Sequence, residues 1–153
     1  MIILLTEFAE QRKEIERELK ARTVKIIEHL LYLVLDKNNS ASNHWKSEIH
    51  VFIYDIDIQK GNKKLPKEKF IYASTYGKRQ DRVTDEKWLT VAIKTACQKE
   101  HFNNTKDVFT VMSELDFVCT EYFRWLAKEL STVGNVAPDD VKDKIDELLK
   151  NVT

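Results

Sequence analysis

Glycine and proline are scarce in this chain, which has three glycines and two prolines among 153 residues. Turns depend on both residue types, so an all-β fold with many tight turns would need more of them. Apolar residues make up 42% of the chain, which is enough to build a buried core in one domain of this length. These features predict an all-α fold, with one domain over residues 1–153 arranged as a bundle of five or six helices.

Apolar residues recur at helical spacing in several stretches. A long first helix is predicted from Thr6, as its N-cap, to Leu35. The stretch around Ile49 has a helical apolar face, although its local alternation would also fit a strand. Residues 66–82 fit either a helix or a hairpin, and Thr84 is predicted to cap the helix that follows them.

A second long helix is predicted near residues 105–130, before a short amphipathic helix that follows the loop from Gly134 to Pro138. The inward face of the long helix is expected to consist of a narrow row of apolar residues, the seam, and of aromatic residues beside it that make the apolar face wider. The seam is Val108, Met112, Leu115, Cys119, Tyr122 and Leu126, and the widening residues are Phe109, Phe123 and Trp125. Such broad aromatic faces carry more apolar surface than one small core is expected to bury. Phe123 and Trp125 are therefore predicted at a pocket or a partner interface.

The overall charge, the first residues and the cysteines argue against several classes of protein. Lysine plus arginine and aspartate plus glutamate are equal at 25 each, unlike the basic surplus of a dedicated nucleic-acid binder. The apolar start, from Met1 to Leu5, is too short for a secretory signal or a membrane span. Cys97 and Cys119 fit no disulfide or metal pattern and are expected to be buried, reduced thiols. We therefore expect a cytoplasmic protein without a membrane segment.

The stretch over residues 60–82 is basic enough to bind the phosphates of a nucleic acid, and Tyr72 and Tyr76 lie among its basic residues. The alternative is a solvated face balanced by the acidic residues near the end of the sequence, from Asp139 to Glu147. The basic residues that would contact nucleic acid are Lys60, Lys63, Lys64, Lys67, Lys78, Arg79 and Arg82.

Three polar residues, Arg12, Arg22 and His29, interrupt the apolar stripe of the first helix. Arg22 and His29 are two turns apart and therefore lie on the same side of the helix. A buried guanidinium must be paired, and Glu18 is the nearest acidic partner in sequence. One hypothesis is a satisfied structural network or a position at the rim of the stripe. The other is a functional pair, in which His29 transfers protons and Arg22 stabilises a phosphate.

The spacing of Arg22 and His29 resembles the Arg-x4–6-His signature of the HEPN (higher eukaryotes and prokaryotes nucleotide-binding) RNases. That resemblance implies metal-independent RNA cleavage at a dimer groove, with the two residues acting on the ribose hydroxyl and the phosphate. In that family the motif usually sits later in the bundle, and a polar residue often follows the arginine.

A second resemblance covers residues 5–52. The segments Arg-Glu-Leu-Lys-Ala-Arg at 17–22, Ile-Ile-Glu-His-Leu-Leu at 26–31 and Trp-Lys-Ser-Glu-Ile at 45–49 resemble domain-of-unknown-function family 29, a family of helical bacterial proteins. The resemblance implies helices around these segments but supplies no activity. The N-terminal Tyr/Asp-rich segment of that family is missing, and nothing after Leu89 corresponds to it.

His44 and Trp45 begin the second predicted helix, where they would form part of a pocket or an interface, or where Trp45 would simply pack on the core. The four histidines lack metal-ligand spacing, and no phosphate loop or nucleophile motif is present, so no metal and no cofactor are predicted. We therefore predict an interaction or regulatory protein that self-associates or binds a protein partner. The alternatives are a HEPN-like RNase using Arg22 and His29, and a nucleic-acid-binding module using residues 60–82.

Overall fold

The computed structural model describes residues 2–58, 83–99, 106–132 and 136–153. Within these residues the chain forms five helices and no strand, which confirms the predicted all-α fold. The helices are α1 (Ile2–Leu35), α2 (Ser42–Ile58), α3 (Val83–Lys99), α4 (Val108–Thr132) and α5 (Pro138–Leu149). The long first helix and the long helix near residues 105–130 correspond to α1 and α4.

Two helix starts differ from the sequence-based expectations, whereas the helix expected around Ile49 is confirmed. α1 already begins at Ile2, so the prediction of Thr6 as its N-cap is wrong. The segment around Ile49 is helical throughout, because its apolar face at helical spacing outweighs the local β-propensity. α3 begins at Val83, so Thr84 lies inside it rather than capping it. The choice between helix and hairpin for residues 66–82 lies outside the described residues.

The start of α5 shows why a helix begins there. Pro138 occupies the first turn, where its fixed φ suits a helix and its missing N–H costs nothing. Asp139 and Asp140 follow in the same turn and interact favourably with the positive end of the helix dipole. Ala137, in an extended conformation, precedes the helix without a side-chain cap.

The core lies between α1, α2, α4 and α5. Each of these helices contacts the next around a closed ring, in the order α1, α2, α5, α4 and back to α1, while α3 packs against α1 and α4. Their fully or almost fully buried apolar residues form one cluster, as helical periodicity predicted for most of them. Its members include Ile26, Leu30, Leu33, Ile49, Ile93, Leu115, Cys119, Leu126, Val141, Ile145 and Leu148.

Two thiols and one phenol lie within this core. Cys97 and Cys119 are free, buried thiols, as predicted. Burial raises the pKa of both thiols, and nearby charge contributes further at Cys119. The hydroxyl group of Tyr122 is buried and has no hydrogen-bond partner within the described part of the chain. Burial also raises the pKa of Tyr122, because the phenolate is disfavoured in an apolar environment.

Polar contacts join α2 to α5 and to the segment that precedes it, across 86 and 100 residues of sequence. The Lys46 side chain, only 10% exposed, forms an ion pair with Asp146, whose side chain is 53% exposed. One turn later on α2, His50 Nε2 donates a hydrogen bond to the Val136 carbonyl oxygen at 2.9 Å. These contacts fix the position of α5 against α2 in addition to its apolar packing.

Lys37 ties the residues after α5 to the loop after α1. Its Nζ donates hydrogen bonds to the Leu149 oxygen at 3.2 Å and to the Val152 oxygen at 2.7 Å. The last carbonyl groups of a helix have no partner within the helix, so a lysine at this end satisfies them. Val152 is buried as well, so residues beyond α5 belong to the packed structure.

Lys106 makes the equivalent contact at the end of α1. Its Nζ donates to the Val34 oxygen at 2.8 Å and to Glu114 Oε1 at 3.1 Å. The other Glu114 oxygen accepts hydrogen bonds from the Thr153 backbone N–H at 2.7 Å and from its hydroxyl group at 3.1 Å. Burial raises the pKa of Glu114, but these hydrogen bonds and the Lys106 charge together outweigh burial and lower it.

Candidate functional site

Arg22 and His29 both lie on α1 and are both half-buried, at the border of its buried stripe. They are seven positions apart, which corresponds to about two turns, so they share one side of the helix. His29 Nδ1 lies 2.8 Å from the Lys25 carbonyl oxygen. Because a carbonyl oxygen only accepts hydrogen bonds, Nδ1 must carry the proton. In the neutral imidazole, the lone pair is therefore on Nε2.

Aromatic rings surround the imidazole on the side that faces α2. The His29 ring meets Phe52 nearly edge-on at a centroid distance of 5.1 Å, and Tyr32 lies 5.5 Å away. Tyr32 in turn lies 5.5 Å from Trp45. This packing restricts the orientation of the imidazole, and the residue as a whole is half-buried. A ring with a fixed tautomer and partial access can accept or deliver a proton at Nε2.

The structure places His44 and Trp45 in different surroundings. Trp45 is half-buried and packs against the core cluster and Tyr32. His44 is exposed, and its Nε2 lies 3.7 Å from Glu48 Oε1, one turn later on α2. Trp45 therefore contributes to packing between α1 and α2, the simpler of the two roles predicted for it, and His44 lies at the surface.

Phe123 has no exposed surface and belongs to the core, where its ring contacts Tyr122 at a centroid distance of 5.6 Å. Phe123 was predicted at a pocket or a partner interface, but it is fully buried and cannot touch a partner in this fold. Trp125 is half-buried, and its ring lies 5.8 Å from that of Tyr122.

Trp125 lines a groove between α4 and α5 with a volume of about 300 Å³. Its other walls carry four carboxylates and the ammonium group of Lys144. Lys144 Nζ lies 3.5 Å from Glu147 Oε1. The carboxylates belong to Glu129, Asp140, Asp143 and Glu147. The groove is therefore acidic and would attract cations rather than phosphates.

α4 exposes two large aromatic side chains to solvent. Phe109 is 79% exposed and Phe117 is 41% exposed. They are eight residues apart, or about 12 Å along the helix, and we call them the phenylalanine surface. Phe109 was predicted to face inward, but it lies on the opposite side of α4 from the buried Val111. Val108, the first residue of α4, is also exposed, at 41%, against expectation.

Phe117 was missed in the sequence analysis, although a signal was present. It falls outside the seam that contains Leu115, Cys119 and Tyr122, so the same periodicity that identified the buried face marks Phe117 as outward-facing. The seven basic residues predicted to contact nucleic acid lie between residues 60 and 82, outside the described residues.

Across the described segments, no group of three or more histidine, cysteine or acidic side chains is arranged to hold a metal ion. Likewise, none of the helices that the structure describes is long and apolar enough to cross a membrane.

No protein-family model matches the chain, and no curated protein and no solved structure is significantly similar to it. The resemblances to the HEPN RNases and to domain-of-unknown-function family 29 therefore stay predictions. Any functional conclusion for this helical protein has to come from its own side chains.

Proposed function

We propose that this protein is an interaction or regulatory module that self-associates or binds a protein partner through the phenylalanine surface of α4. The observation that carries the proposal is the exposure of Phe109, at 79%, together with that of Phe117 on the same helix. Large exposed aromatic side chains are typical anchors of protein interfaces, where a few residues contribute most of the binding energy.

The apolar area of these two rings is sufficient for an anchor. A phenylalanine side chain offers roughly 200 Å², so the two exposed fractions add up to roughly 240 Å². At about 25 cal/mol per Å², their burial would contribute up to about 6 kcal/mol per copy before the costs of association. A complete interface needs about 800 Å² per partner, so the surface around the rings would form the rim.

The first experiment is sedimentation velocity of the purified protein over a concentration series. We expect a dimer or larger species, or a monomer that captures a protein partner. The double variant Phe109→Ser/Phe117→Ser should weaken association at least about tenfold, equivalent to about 1.4 kcal/mol. Circular dichroism should show unchanged helix content, because both side chains are mostly or partly outside the core.

Val91→Ser is the matched control. Val91 is also apolar and helical, at 59% exposure, but it lies on α3. Its replacement should leave association unchanged. A strictly monomeric protein with no co-purifying partner would refute the proposal, as would equal weakening by the control variant.

A second candidate function is metal-independent RNA cleavage by Arg22 and His29. It is supported by the hydrogen bond from His29 Nδ1 to the Lys25 oxygen, which places the basic lone pair of the neutral ring on Nε2. Arg22, on the same side of α1, would stabilise the charge of a phosphate. General acid–base catalysis of this kind contributes roughly 10²–10⁴-fold to a rate.

The test is RNA cleavage in the presence of a chelator by Arg22→Ala and His29→Ala, with Lys25→Ala as control. The control fits because the Lys25 side chain is exposed, and only its backbone oxygen accepts the His29 hydrogen bond. Both site variants should lose cleavage at least about 100-fold while remaining folded, and the control should stay active. His29→Gln, which keeps a polar side chain of similar size, covers the case in which His29→Ala fails to fold. Activity in His29→Gln, or none in the parent protein, would exclude this function.

The third prediction, nucleic-acid binding by the basic residues between Lys60 and Arg82, gains no support from the described residues. It stays a prediction.

A further inference from the structure

We draw no further inference here: the strongest candidate, the groove that Trp125 and four carboxylates line between α4 and α5, is an acidic cluster, and nothing in the described residues shows what binds it.

Discussion

The ion pair between Lys46 and Asp146 leads to an asymmetric prediction for the stability of the fold. The two side chains differ strongly in exposure, at 10% for Lys46 and 53% for Asp146. Removing the carboxylate leaves a lysine side chain that is only 10% exposed and has lost its ion-pair partner. Removing the ammonium leaves a carboxylate that water already reaches.

The magnitudes follow from these exposures. Breaking a fully buried pair costs about 3–5 kcal/mol, whereas an exposed pair contributes about 0–1 kcal/mol. Water can partly replace the half-exposed carboxylate, so we expect Asp146→Ala to cost about 2 kcal/mol. Lys46→Met, which keeps the apolar stem of the side chain, should cost less than about 1 kcal/mol. The double variant should resemble Lys46→Met, with a coupling free energy of about 1–2 kcal/mol.

Urea unfolding followed by circular dichroism measures all three free energies of unfolding. Asp143→Ala is the control, because Asp143 is exposed one turn earlier on α5 and undergoes the same change in charge and helix propensity. It should change stability by less than about 0.5 kcal/mol. The reasoning is refuted if Lys46→Met costs as much as Asp146→Ala, or if the coupling is indistinguishable from zero.

Two further predictions concern single polar groups. Tyr122→Phe removes a buried hydroxyl group that has no hydrogen-bond partner among the described residues, so stability should stay equal or rise by up to about 1–3 kcal/mol in the same urea assay. A loss above about 1 kcal/mol would reveal a partner for the hydroxyl group. The pKa of Glu114 is lowered in the folded protein, so folding favours its ionised form. Its contribution to the free energy of unfolding is therefore complete above the unfolded pKa of about 4.3 and is lost as the pH falls through the folded-state pKa. The stability difference between the parent protein and Glu114→Gln should therefore shrink on acidification in a urea series at several pH values, and a difference independent of pH would contradict the proposed role of the Lys106 and Thr153 contacts.

Periodicity predicted the helices well, because each buried stripe is a local pattern. It identified Leu115, Cys119 and Leu126 as core residues of α4, and both long helices. It could not decide how wide a stripe is covered, since that depends on how the neighbouring helices pack against α4. Phe123 is therefore buried and Phe109 exposed, although both were predicted to widen the same face.

The contacts between α2 and α5 were beyond sequence reasoning for a different reason. Nothing local in either helix pairs Lys46 with Asp146, because the two residues are 100 positions apart and both charge types are common in the chain. For the candidate site, the shared side of Arg22 and His29 followed from their spacing alone. The hydrogen bond of His29 Nδ1 depends on the backbone geometry of α1, and the contact of His29 with Phe52 depends on the position of α2. Neither could be predicted from the sequence.

The two contacts of Lys37 constrain the order in which the chain can fold during translation. Its acceptors, the Leu149 and Val152 oxygens, are 112 and 115 positions further along the sequence. The α1–α2 hairpin can assemble early from neighbouring residues, but Lys37 in its loop cannot make these two hydrogen bonds until the ribosome has released residues 149–152. A nascent chain stalled before Leu149 would therefore contain α1 and α2 but not the carbonyl groups that Lys37 binds. Higher protease sensitivity of the loop between α1 and α2 at that stage would show that these hydrogen bonds are absent.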